Sequence, residues 1–157
     1  WREGLLFTLV FVGGHSWNSA AFDNRIEALR GADRPVQTIR ALPDDLLWAA
    51  YRHAYCTVFA SLHEGYGLPV AESLASGTPV ITSNFGSMRE LAGHGGALLV
   101  DPRQDHQLAD ALRQLLLDRP LRDRLAAQAA TIPRRTWDDY AADTWNYLVN
   151  GTPPPHP

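Results

Sequence analysis

CTVFASLHEGYGLPVAESLASGTPVITS, residues 56–83, decides the fold. Residues 56–61 are an apolar, β-rich run, residues 69–76 read as a helix opened by Pro69, and residues 79–83 are a second β-rich run. Two such strands joined through a helix are parallel neighbours, because an antiparallel pair needs only a tight turn. Between strand and helix lies a corner crowded with special residues. Glu64, Gly65, Gly67, Pro69, Glu72 and Gly77 all fall within residues 63–80. A chain that only has to turn uses fewer.

The same alternation runs outward in both directions. Upstream, residues 5–12 read as a buried strand stopped by Gly13 and Gly14, residues 20–29 as a helix, and residues 36–41 as a strand. Pro43, Asp44 and Asp45 then open a helix carrying Leu46, Leu47, Ala50 and Ala54. Downstream, residues 97–100 form the last strand, with residues 86–90 taken as a loop before it. The predicted fold class is α/β, a Rossmann-like parallel sheet of about five strands with helices on both faces. After Asp101 and Pro102 the chain turns helical. Leu108, Ala111, Leu112, Leu115 and Leu116 mark one apolar stripe, Leu121 and Leu125 a second, and Trp137, Tyr140, Ala141 and Leu148 a third. Trp137, Tyr140 and Trp145 are expected to pack. Residues 1–149 form one domain and residues 150–157 a disordered, proline-rich tail.

Composition narrows the function. The 157 residues suffice for one domain with a real core, and 45% hydrophobic with 20% charged residues is a soluble globular balance. A net charge of -3 gives no support for a nucleic-acid partner. No apolar run is long enough to be a transmembrane segment. Cys56, the single cysteine, excludes an internal disulfide and agrees with a reducing compartment; beside a strand start it is expected in the core. The six histidines lack zinc-type spacing, with His15 a candidate for the cleft edge and His63 a plain loop residue. Asp44, Asp45, Asp138 and Asp139 sit at helix starts, where acidic residues cap and complement the dipole.

The corner has a physical reading of its own. Ligands of open parallel sheets sit beyond the carboxyl ends of the strands. The helix after residues 61–68 presents unpaired first-turn amides to that side, an anion cradle. Gly65 and Gly67 are expected to let a phosphate or sugar approach the backbone without a Cβ in the way. Glu72 is placed in the first helical turn, where the dipole favours a carboxylate, and an acceptor-only group suits the hydroxyl pair of a ribose. Glu64 addresses another part of the same ligand from the loop.

Glu64-Gly65-Tyr66-Gly67-Leu68-Pro69, then Glu72 and Gly77-Thr78-Pro79-Val80, resembles the C-terminal nucleotide-sugar-binding domain of the group 1 (family 4) retaining glycosyltransferases of the GT-B fold. Tyr66 stands where that family usually has phenylalanine. The resemblance covers residues 9–149, including the loop at residues 86–90 and ALLVDP at residues 97–102. It implies transfer of a sugar from a nucleotide sugar to an acceptor hydroxyl with retention. Glu64 would be the catalytic contact to donor-sugar hydroxyls near the reacting carbon, without being assigned as a nucleophile. The backbone of Gly65, Tyr66, Gly67 and Leu68 would bind the diphosphate and sugar, and Glu72 the ribose. Arg40, Ala41 and Leu42 would face the base through backbone groups, with Gly13 and Gly14 lining the same cleft. No metal and no cofactor is implied, which leaves stabilisation of the departing diphosphate to protein groups.

The chain also departs from that family. Its C-terminal domain normally opens with a further strand and loop bearing an arginine and a lysine, whereas this chain opens on Trp1 and Arg2, and Arg2 is not at a motif position. The N-terminal acceptor-binding domain is missing too, so the sequence is expected to be a fragment, inactive alone, with an incompletely covered sheet edge. Cytoplasmic localisation is expected, with any attachment to the inner face of a membrane running through the missing domain. The alternative is a non-catalytic nucleotide-sugar-binding or scaffold module; an epimerase of the same fold suits the Glu64–Glu72 run less well.

Overall fold

The computed structural model describes residues 1, 3–14, 19–133 and 136–153. Five strands alternate with helices: β1 (Leu9–Val12), α1 (Ala20–Gly31), β2 (Val36–Ile39), α2 (Asp44–His53), β3 (Thr57–Phe59), α3 (Leu68–Ala75), β4 (Val80–Ser83), α4 (Gly86–Leu91) and β5 (Ala97–Val100). Three helices follow, α5 (Asp105–Leu117), α6 (Arg119–Thr131) and α7 (Trp137–Asn150). Every strand pairing is parallel, as short β-rich runs separated by helical crossovers require. The α/β architecture read from the sequence is the one observed.

Hydrogen bonding divides the strands into two ladders, β1-β2 and β3-β4-β5. In the first, Leu9 pairs with Val36 and Val12 with Ile39; in the second, Val80 lies between Thr57 and Ala97. The N–H groups of Leu9 and Gly13 go to the carbonyls of Pro35 and Ile39 on the β2 side. By strand alternation, those of Val10 and Val12 point to the other edge. Thr57 N–H is likewise spent on Pro79 O, which turns Val58 N–H outward. The outer edges of β1 and β3 therefore pair with no strand among the described residues. Val10, Val12 and Val58 are all more than 40% exposed, unusual for parallel strands.

β4 is the central strand, and all four of its residues are buried. Its alternate side chains serve two cores. Ile81 packs with Val100, Ala111, Leu115, Leu121 and Leu125 from β5, α5 and α6, while Val80 packs with Val70, Leu74, Met88 and Ala129. Burying each such aliphatic side chain contributes about 1.5–3 kcal/mol, so stability concentrates in this half. The buried hydroxyl of Thr82 donates to Phe59 O at 2.8 Å and that of Ser83 to Ser61 O, which removes the penalty for polar groups in the core. Cys56 is half-buried against the first core, and that burial raises its thiol pKa.

Four expectations are corrected. Only Leu9–Val12 of residues 5–12 is strand. β2 offers no partner further upstream, and Trp1 folds back instead, its indole stacked on Phe7 at 4.7 Å and its Nε1 donating to Phe7 O. Residues 86–90 are not a loop but most of α4, whose first residue, Gly86, has φ +61°. Trp137, Tyr140 and Trp145 do not pack into the domain. No residue of α7 is buried, and Trp137 is 83% exposed. What stabilises α7 lies at its ends: Thr136 and Asp139 form a reciprocal capping box, and Gly151 closes the helix at φ +65°. Finally, Glu72 lies beyond the first turn of its helix, because α3 opens at Leu68 rather than Pro69.

Candidate functional site

The corner is tied to its surroundings through backbone carbonyls, which leaves the Glu64 side chain out in solvent. Ser61 Oγ donates to His63 O at 3.2 Å, and Ser87 Oγ of α4 donates to Glu64 O at 3.3 Å. Glu64, Gly65, Tyr66 and Leu68 are exposed, and His63 beside them is an exposed loop residue. α3 begins with Gly67 as its N-cap at φ 92°, ψ 48°, and Pro69 stands where a missing N–H costs nothing. No side chain caps this helix start; Val70 N–H is taken by Gly67 O at 2.9 Å and Pro69 has none, which leaves Leu68 N–H as the first-turn amide without an acceptor among the described residues.

The two glycines turn out to do different jobs. A Cβ on Gly65 would meet nothing within 4 Å, and its φ is not positive. The space over the backbone at Gly65 is therefore open. Gly67 is buried, and a Cβ there would face Leu91 Cδ1 at 3.4 Å and Met88 Cγ at 3.5 Å, on the protein side. Gly67 is required by its left-handed φ, which corrects the expectation that it keeps a ligand path open.

Glu72 is half-buried and held by a residue the sequence did not point to. Tyr51 Oη of α2 donates to Glu72 Oε2 at 2.9 Å. Burial, then the Glu72 carboxylate, raise the Tyr51 pKa well above that of an ordinary phenol, so the donor stays protonated. Tyr51 follows Leu47 at helical spacing and reads as packing; a partner 21 positions away has no local signature. Neither Glu64 nor Glu72 pairs with a cation among the described residues.

Arg40, Ala41 and Leu42 follow β2, at the carboxyl end of the other ladder. A cavity of about 220 Å³ opens there, lined by Gly13, Gly14, Ser19, Asp23, Thr38 and Arg40 among others. Arg40 reaches Asp23 Oδ1 at 3.4 Å, and Ala41 holds a left-handed φ of 53°, a conformation that costs a side-chain-bearing residue about 1–2 kcal/mol. None of residues 64–72 lines this cavity. α2 connects the two places, starting just after residues 40–43 and carrying Tyr51 to Glu72. His15 lies outside the described residues.

Residues 6–131 match the family model of the glycosyl transferases group 1. The chain is 36% identical over 138 residues to a D-inositol 3-phosphate glycosyltransferase of Acidothermus cellulolyticus, covering 85% of this chain and 31% of that protein. It is 28% identical over 142 residues to the O-antigen chain mannosyltransferase B of Escherichia coli, covering 89% and 36%. It thus spans about a third of the length of these relatives. Among solved structures, the C-terminal domain of a glycosyl transferase group 1 family protein from Francisella tularensis superposes with a TM-score of 0.70 at 28% identity, covering 82% of this chain and 69% of that one. With a family model matched over most of its length and a fold shared with that isolated domain, the chain belongs to the group 1 glycosyl transferases and corresponds to their C-terminal domain.

Proposed function

We propose that this chain is the donor-binding half of a retaining transferase that moves a sugar from a nucleotide sugar to an acceptor hydroxyl. The observation that carries the reading is the corner itself. Exposed backbone at Gly65 has open space around it, an uncapped helix start lies three residues on, and a carboxylate stands on each side. In the proposed arrangement Glu64 contacts the hydroxyls of the donor sugar near the reacting carbon. The amides of Gly65, Tyr66, Gly67 and Leu68 take the diphosphate, whose negative charge grows as the sugar leaves. Glu72 accepts the ribose hydroxyls. Arg40, Ala41 and Leu42 face the base through their backbone. The residues need no metal for this division of labour, and no cofactor is proposed.

Alone, the 157-residue chain is proposed to bind nucleoside diphosphates near the millimolar range, about 4 kcal/mol, and to transfer nothing. No cation lies against either glutamate among the described residues, and positioning an acceptor while excluding water needs a second body closing over the corner. Titration with UDP, GDP and ADP, followed by NMR line shifts, tests the reading. Glu72→Ala is expected to lose about 1.5–3 kcal/mol, the range for hydrogen bonds to a charged group, which takes binding below detection. Unchanged affinity would remove Glu72 from the ribose. Robust turnover by the chain alone, offered nucleotide sugars and acceptors, would show that no second body is needed.

A further inference from the structure

Resting on the donor-binding reading above, we infer that Tyr51 is a positioning residue: its hydroxyl holds Glu72 Oε2 so that Oε1 is presented to the vicinal hydroxyls of the ribose. Tyr51 Oη donates to Oε2 at 2.9 Å, and no other side chain of the described residues touches this carboxylate within hydrogen-bond distance. A carboxylate has about four acceptor positions, so one phenol leaves Oε1 wholly available. A phenol holds Oε2 without neutralising the carboxylate's charge, which keeps it a strong acceptor for neutral hydroxyls.

The backbone that carries Tyr51 is itself tied to α3. Thr78 Oγ1, on a buried side chain, donates to Tyr51 O at 2.7 Å. Ser73, the residue after Glu72, donates its Oγ to Thr78 O at 3.0 Å. Since that spends the only Ser73 hydroxyl proton, the 2.6 Å contact between Thr57 and Ser73 is a donation from Thr57. Hydrogen bonds therefore run from Tyr51 O through Thr78 to Ser73, along the chain to Glu72, and back to Tyr51 Oη. The circuit fastens α2 to α3 at the point where the carboxylate leaves the helix. A free glutamate samples several rotamers and pays that entropy on binding; a held one has paid it in advance.

The test compares wild type with Tyr51→Phe, which keeps the ring and removes the hydroxyl. Each is titrated with UDP, GDP and ADP and with the 2′-deoxy and 3′-deoxy forms of whichever binds. Wild type is expected to prefer the ribose form, and Tyr51→Phe to bind that form roughly three- to tenfold more weakly with a reduced preference over the deoxy forms. The urea midpoint shows whether the variant is folded. If Tyr51→Phe retains both affinity and preference, the inference fails while the donor-binding reading stands. If wild type binds none of the three, or binds without preferring ribose, the role of Glu72 fails and takes the inference with it. Should Tyr51→Phe not fold, the ring resonances of Tyr51 at neutral pH, followed by NMR in wild type and Glu72→Ala, decide the contact made at 2.9 Å. They are expected to shift in Glu72→Ala, and unmoved resonances overturn the inference.

Discussion

Replacing Gly65 and Gly67 by alanine, one at a time, separates two roles that the motif combines. At Gly67 the backbone sits at φ 92°, where an alanine costs about 1–2 kcal/mol. Its Cβ would meet Leu91 and Met88 at 3.4–3.6 Å, ordinary van der Waals separation, so no clash adds to the strain. Gly67→Ala is therefore expected to lose about 1–2 kcal/mol of stability and to remain folded. At Gly65 the new methyl would stand in open space, at a backbone conformation open to any residue. Stability there is expected to stay level or to rise by about 0.4–1 kcal/mol through the unfolded chain. The same methyl would occupy the face on which the diphosphate is proposed to rest, so binding should fall while folding does not. Urea denaturation gives the first quantity and nucleoside-diphosphate titration the second. A Gly65→Ala protein that loses stability, or a Gly67→Ala protein that does not, would refute the assignment of strain to one glycine and access to the other. A stable Gly65→Ala protein that binds normally would refute the access role alone.

Further expectations follow from the surroundings of the site. Gly96→Ala should be the severe glycine substitution: φ is +77°, and a Cβ would lie 2.7 Å from Leu74 Cδ2 and 2.9 Å from Ala129 Cβ, so strain and overpacking together predict a loss of about 2–5 kcal/mol in urea unfolding. Asp101 accepts from Arg103 Nε at 2.8 Å and Nη2 at 2.9 Å, and these bonds, with Arg103 N–H, hold its pKa below the usual carboxylate value. A depressed folded pKa gives stability that is present above the unfolded value of about 3.9 and fades as pH falls toward the folded one. The stability gap between wild type and Asp101→Asn should therefore shrink below about pH 4, and a gap that stays constant down to pH 2 would contradict it. The outer edges of β1 and β3, which pair with no strand among the described residues, should drive concentration-dependent self-association, measurable by sedimentation and reduced by Val10→Lys or Val58→Lys.

What could be read from the sequence followed from how local its causes are. β4, its crossover and the corner were legible because apolar runs, Gly67 and Pro69 act through near neighbours in the chain. α4 was hidden because Gly86 opens it, and a glycine after Phe85 reads as a loop. The stripe of α7 reads as a packing face, but periodicity reveals only that a face is apolar, and no element among the described residues buries Trp137, Tyr140 and Trp145. Glu72 stands out in the sequence through its place on the helix after the glycines, but α3 sets it beyond the first turn, and its partner is Tyr51, a residue of another helix. The direction in which the Cβ of Gly67 would point depends on α4 and was equally out of reach.

The central claim, that the corner of residues 64–72 holds the donor, is tested most directly by locating a bound nucleotide. An amide-resolved NMR map of the chain titrated with nucleoside diphosphates is expected to show its largest shifts at Gly65, Tyr66, Gly67, Leu68 and Glu72. Smaller ones are expected at Arg40, Ala41 and Leu42. Shifts confined to the cavity around Gly13, Thr38 and Arg40, or none at all at concentrations well above a millimolar, would contradict the account.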